Sequence, residues 1–319
     1  MLTGLSAALG AGLLWGLVFL TPLVLHDYPG FMLAVGRYLA FGMLALALAW
    51  FDRKALARLT RADWVEAAKL AVIGNLLYYA TLSSAIQLAG APVPTLIIGT
   101  LPVVIALSAN LLDRRRGGGE DSVPWVRLGI PLALILAGLL AVHSDSTQQD
   151  ANADGRYALG LLFAAIALAC WTWYPIRNSR WLRARGPGLS RPWATAQGLA
   201  TLPIAILAAL GYWIWNASGA TAPTYAWPLG PRPAHFVLMS LLLGLAASWL
   251  GTLLWNKASH LLPAALVGQL IVFETLSALL YAFIWYGRLP TLAEAAGIAL
   301  LITGVIGGVR VFRRGARPT

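Results

Sequence analysis

Apolar residues fill ten long stretches of this chain, and polar residues are confined to the short segments between them. At about 1.5 Å of rise per helical residue, about 20 apolar residues cross a hydrocarbon layer. On that ruler the spans are Gly4–Leu25, Phe31–Phe51, Trp64–Leu88, Pro92–Leu112, Leu128–Val142, Ala158–Ile176, Trp193–Trp215, His235–Asn256, Leu262–Tyr286 and Thr291–Phe312. The fifth is the shortest. No stretch alternates polar and apolar residues in pieces of about ten, as a barrel strand would. The expected fold class is all-α integral membrane, with ten transmembrane helices.

Two of these stretches match each other. Shifting Pro263–Leu280 back by 169 positions places Pro263 on Pro94, Gly268 on Gly99, and Leu276, Ser277 and Ala278 on Leu107, Ser108 and Ala109. At an offset of 156, Gly160, Leu161, Ala164, Ala167 and Trp171 fall on Gly4, Leu5, Ala8, Ala11 and Trp15. The chain reads as two copies of one unit: a five-helix repeat over 1–142, an extracytoplasmic linker over 143–157, and a second repeat over 158–319. Five spans is an odd number, so the second copy lies upside down relative to the first. Inverted repeats are the architecture of secondary transporters, because exchanging the conformations of two similar halves moves the opening from one side to the other.

Composition enters where it changes this picture. Charged residues make up 11% of the chain and mean hydropathy is +0.72, against roughly a quarter charged in soluble domains. The net charge of +11 does not indicate nucleic acid, because the basic residues sit in clusters between spans. With the N-terminus inside, the inner loops and tail hold eighteen Lys and Arg, including Arg53, Arg115, Arg185 and Arg314. The outer loops hold three: Arg156, Arg232 and Arg288. Both ends are therefore expected to be cytoplasmic. The first twenty residues lack a basic n-region, so the start is read as a retained span. Cys170 is the sole cysteine, so neither a disulfide framework nor a metal cluster is expected, and no cofactor is.

Candidate chemistry comes from polar and aromatic residues inside spans. Asn75, Tyr79, Ser83 and Gln87 recur every fourth residue in the third span, with Tyr78 beside them; Ser240, Gly244, Ser248 and Thr252 do so in the eighth. The fourth offers Thr95, Gly99, Thr100 and Leu101, where Pro102 removes a backbone donor. The sixth presents Trp171 and Tyr174 on one face, and Trp15, Trp171, Trp173 and Trp249 all lie deeper than the interfacial belt. Small polar residues serve equally as interhelical glue. Arg37 is expected to snorkel or bond a carbonyl, and Glu66 and Lys69 to pair locally. Glu274, the single acid near mid-bilayer, is expected to be structural and bonded across a helix interface, with proton coupling the sharper alternative. There is no G-x-x-x-x-G-K-[ST], H-E-x-x-H or G-x-S-x-G, and no His reaches mid-membrane. An intramembrane enzyme thus has no nucleophile–base pair.

Paired five-span repeats, Trp15 and Trp171 in the first span of each half, and the paired Pro-plus-Gly fourth spans resemble the drug/metabolite transporter superfamily. Within it the chain is similar to the EamA-type ten-helix exporters over almost its whole length. Their Glu-Pro and Gly-Glu pairs read here as Glu274-Thr275 and Gly287-Arg288, so each is matched in part. The run Trp171-Thr172-Trp173-Tyr174, the pair Leu101-Pro102 and the pair Trp255-Asn256 resemble the bacterial aromatic amino-acid exporters. The resemblance implies a multi-pass protein of the bacterial inner membrane exporting amino acids by alternating access, with aromatic and other apolar ones preferred; the oligomeric state is left open, a monomer among the options. A drug or organic-cation exporter is the alternative. The expected substrate-binding residues are Trp171, Tyr174, Tyr78, Tyr79, Ser83, Thr100, Leu101, Ser248, Trp249 and Gln269, in a cavity lined by spans three, four, six, eight and nine. Partners are small-molecule amino acids and the lipid bilayer, not nucleic acid.

Overall fold

The computed structural model describes residues 2–101, 103–104, 107–108, 125–146, 155–185, 188–218, 229–261, 270 and 272–315, and among them there are helices and no strands. The elements are α1 (Leu2–Val24), α2 (Gly30–Leu56), α3 (Arg61–Leu70), π1 (Ala71–Leu77), α4 (Tyr78–Ala89), α5 (Pro92–Gly99), α6 (Trp125–Ser146) and α7 (Arg156–Arg185). They continue as α8 (Ser190–Ala217), α9 (Pro233–Leu242), π2 (Leu243–Leu250), α10 (Gly251–Leu261), α11 (Val272–Tyr286) and α12 (Leu292–Gly315). Among the described residues, five stretches are long and apolar enough to cross a membrane: Leu2–Val24, Gly30–Leu56, Arg156–Leu182, Arg191–Ala217 and Pro233–Trp255. Parts of the expected fourth and ninth spans, with Pro102 and Gln269, lie outside the described residues.

Local chemistry sets the helix ends. Thr60 caps α3 reciprocally: its hydroxyl accepts from Asp63 N at 3.3 Å, and Asp63 Oδ2 accepts from Thr60 N at 2.8 Å. Thr291 and Glu294 do the same for α12. Gly287, at φ 62°, ends α11, with Arg288 N donating to Phe283 O at 3.2 Å. The expected fifth span, Leu128–Val142, is instead a helix over Trp125–Ser146. Hydropathy reports the part that suits lipid, whereas backbone hydrogen bonds continue the helix beyond it.

Spans three and eight each differ from a plain α-helix. Both carry a wide π turn near the middle, π1 and π2, running without a break into the α segments on either side. Such turns cluster at functional sites, and hydrophobic periodicity does not reveal them.

The strongest packing partners are α2 with α8, α6 with α12, α1 with α11 and α10, and α4 with α7. Small residues permit these approaches. A Cβ at Gly138 would lie 2.6 Å from Gly297 O, and one at Gly304 would lie 2.8 Å from Pro131 O, so α6 and α12 touch backbone to backbone. Gly12 and Gly16 bring α1 close to α11 in the same way: a Cβ on them would lie 3.2 Å from Glu274 N and 3.0 Å from Ala278 N.

Candidate functional site

At the core of the bundle, α1, α2, π1, α4, α7, α8, π2, α10 and α11 converge on one cavity. The cavity is narrow, about 40 Å³, well below the roughly 300–1,000 Å³ of an open small-molecule site. Helical spacing delivers the side chains in pairs: Trp15 and Val18 from α1, Arg37 and Phe41 from α2, Trp171 and Tyr174 from α7, and Ala194 and Gln197 from α8. Ser248 of π2, Thr252 of α10 and Glu274 of α11 complete the far wall.

Three rings dominate. Tyr78 stacks on Trp171 at 4.6 Å between centroids and 16° between planes, and Trp171 stacks on Tyr174 at 5.0 Å and 8°. Gly74 of π1 leaves room for this arrangement, because a Cβ there would sit 2.1 Å from Tyr174 Cδ2. The Tyr174 hydroxyl donates to Gln197 Oε1 at 2.8 Å, and Gln197 Nε2 donates to Asn178 Oδ1 at 3.1 Å. Asn178 Oδ1 also accepts from Trp193 Nε1 at 2.8 Å. Asn75 Nδ2 donates to Thr201 Oγ1 at 3.1 Å, joining π1 to α8. The stack is therefore anchored by a polar chain, not merely packed.

Two ionisable groups share the cavity. Arg37, 6% exposed, donates from Nε to Ser248 Oγ at 2.9 Å, and its guanidinium lies 4.7 Å from the centre of the Tyr79 ring. It neither snorkels nor bonds a carbonyl, because the Ser248 hydroxyl lies within its reach inside the bundle. Glu274, 5% exposed, lines the same space and makes no hydrogen bond across a helix interface among the described residues.

Beyond the polar chain, one end of the bundle is sealed by charge. Glu66 takes both arms of Arg177 at 2.7 Å, Arg185 reaches Asp63 at 2.5 Å, and Arg191 reaches Asp52 at 2.6 Å. Glu66 thus pairs with Arg177 on α7 and not with Lys69, since a two-pronged guanidinium outcompetes a single ammonium. Trp181 donates to Asp63 at 2.9 Å and stacks on Trp193 at 3.5 Å. At the opposite end Arg232 pairs with Asp27, whose carboxyl it holds below the ordinary value, and Arg232 N donates to the Tyr28 hydroxyl at 2.7 Å.

Of the residues expected in the site, the structure brings together Trp171, Tyr174, Tyr78 and Ser248. Tyr79 points its hydroxyl at Val18 O, 3.3 Å away, outside the cavity lining. Ser83 is fully buried, Thr100 donates to Ile97 O at 2.7 Å, and Leu101 and Trp249 pack in the core. None of these four lines the cavity. Gln269 lies outside the described residues. Span four contributes no described lining residue, whereas spans one, two and seven do. Trp15, Arg37, Asn75, Gln197 and Glu274 are lining groups absent from the expected set; the signal for each was a polar or indole group deep within an apolar stretch.

Known proteins resemble this chain in sequence and in fold. The profile of the EamA-like transporter family matches residues 2–116. The chain is 44% identical over 314 residues to "Inner membrane protein YtfF" of Escherichia coli (strain K12), covering 97% of this chain and 96% of that one. A solved crystal structure with 20% identity covers 98% of this chain and 99% of its own, at a TM-score of 0.63. That likeness bears on fold alone. On the strength of these matches, and of a helical bundle closed around a central cavity, this chain is a membrane protein that belongs to the EamA-like transporter family.

Proposed function

We propose that this protein is a secondary transporter of a bacterial inner membrane that exports amino acids, aromatic and other apolar ones preferred, by alternating access between two inverted five-helix repeats. The observation that carries the reading is the Tyr78–Trp171–Tyr174 stack, built by both halves of the chain inside the central cavity. A flat apolar side chain is recognised best by rings already held parallel. The inverted arrangement is supported by packing. Exchanging each span with the one five places along returns the same partners: spans two and seven, five and ten, and one with eight against six with three. Closure at the Glu66–Arg177 end fits a transporter caught shut on that side.

The aromatic wall is tested by Trp171→Ala in liposomes. Transport of Trp and Phe should fall roughly 2- to 13-fold relative to Ala and Thr, from about 0.5–1.5 kcal/mol per ring pair. Equal loss for every cargo, matched by Trp15→Ala, removes Trp171 from the site. Orientation is tested separately. With Cys170 replaced, cysteines at Ser146 and Ser218 should react with an impermeant thiol reagent in intact cells, and one at Arg115 only after lysis. Glu274 in the cavity also suits an organic cation, so export of such cations is the second reading.

A further inference from the structure

We propose that Arg37 and Glu274 form a two-point clamp for a zwitterion, Arg37 taking the cargo's carboxylate and Glu274 its ammonium group. This deepens the amino-acid reading and rests on it. Arg37 is more than nine-tenths buried, and its Nη1 is enclosed without a hydrogen-bond partner while Nε is held by Ser248. A guanidinium in a water-poor interior is costly unless a carboxylate or several acceptors meet it. The nearest compensation is partial: the Tyr38 and Tyr79 rings lie 5.1 Å and 4.7 Å from its carbon. The acid in the same cavity, Glu274, is not its partner, because the five ion pairs among the described residues do not include it.

A cavity that holds a guanidinium and a carboxyl group with no ion pair between them is complementary to a ligand carrying both signs. Single-charge ligands leave the other group uncompensated. The ring stack lies in the same cavity, so an α-amino acid with an aromatic side chain satisfies three walls at once. The two charges also come from opposite halves of the chain, Arg37 from α2 and Glu274 from α11. Cargo held by both groups therefore adds a link between the halves. Ser248 holds the guanidinium in place through Nε and leaves Nη1 for cargo.

Three ligands with the same ring decide the matter: phenylalanine, 2-phenylethylamine, which lacks the carboxylate, and 3-phenylpropionate, which lacks the ammonium. Binding to purified protein by equilibrium dialysis and transport in liposomes are both measured, normalised to folded protein. Wild type should bind phenylalanine tightest. Arg37→Gln should weaken phenylalanine and phenylpropionate roughly 10- to 150-fold, the range for a charged hydrogen bond, and spare phenylethylamine. Arg37→Lys, which keeps the charge and guards against misfolding, should recover part of that loss. Glu274→Gln should weaken phenylalanine and phenylethylamine and spare phenylpropionate. Loss of all three ligands together in Arg37→Gln and Arg37→Lys, or loss of none, overturns the clamp. Transport of amino acids with no such ranking overturns the clamp but leaves the exporter reading intact. The ranking in binding, with no amino acid carried, overturns the exporter reading and supports the clamp.

Discussion

Asp63→Ala should destabilise the protein by about 3 kcal/mol, read as a lowered midpoint of thermal unfolding in detergent. The carboxylate is 2% exposed and serves three partners, Thr60 at the start of its own helix and Trp181 and Arg185 on α7. Through Thr60 it closes the cap of α3, a contribution of about 1 kcal/mol. It accepts the indole proton of Trp181 on α7, a bond to a charged acceptor of about 1.5–3 kcal/mol. The Arg185 pair adds less, because that guanidinium is 39% exposed and screened by solvent. Asp63→Asn keeps one acceptor oxygen, for Thr60 or for Trp181 but not both, and should lose less than the alanine. Acid should do to the wild type what the alanine does. Burial pushes this carboxyl up, but the bonds from Thr60 and Trp181 and the charge of Arg185 outweigh it and hold it below 3.8. A lowered folded value means that the contribution is complete above 3.8 and vanishes as pH falls through the lowered value. Asp63→Ala should lose that part of the acid dependence, and an unchanged acid limb would contradict the assignment.

Gly74→Ala should nearly abolish transport of aromatic cargo, by roughly 10-fold or more, while the protein still folds. The new methyl would lie 2.1 Å from Cδ2, 2.7 Å from Cγ and 2.9 Å from Cβ of Tyr174. Those atoms lie near the root of the side chain, so Tyr174 cannot swing its tip aside and must leave the rotamer. Its departure removes one ring from the stack and the hydroxyl bond to Gln197 together. Overpacking of this kind costs about 1–3 kcal/mol. The double variant Gly74→Ala with Tyr174→Ala should be no less stable than Tyr174→Ala alone, since the clash needs both groups. Additive losses would mean that Gly74 matters for backbone reasons of its own.

Much of the fold was legible because lipid demands long apolar runs and basic loops leave a clear record between them. The site was legible in part. Trp171 and Tyr174 were readable because three-residue spacing puts both on one face of α7, and indoles away from the interface are conspicuous. Tyr79 and Ser83 were not separable from Tyr78 and Asn75, because a period of four says which residues share a face but not what that face meets. The wide turn of π1 then brings Asn75 and Tyr78 to the cavity and leaves Tyr79 against α1. Arg37 was passed over for a related reason: a lone arginine within a span looks like one bound for the headgroups until its partner on π2, 211 residues away, is known.

The ion pairs at the two ends have a consequence for how the two parts of the chain depend on each other. Asp27, Asp52, Asp63 and Glu66 lie before the midpoint of the chain; the arginines they meet, 232, 191, 185 and 177, lie after it. Every described bridge between the two parts thus runs from an acid in the earlier to a base in the later. Two copies of residues 1–142 facing each other would set carboxylate against carboxylate at these seams, and two copies of 158–319 would set guanidinium against guanidinium. Like charges at contact oppose association, by the same Coulomb term that here favours it. A pair of identical subunits has no such division of sign available to it. On the proposed repeat reading, neither part could therefore assemble as a homodimer without changes at both ends.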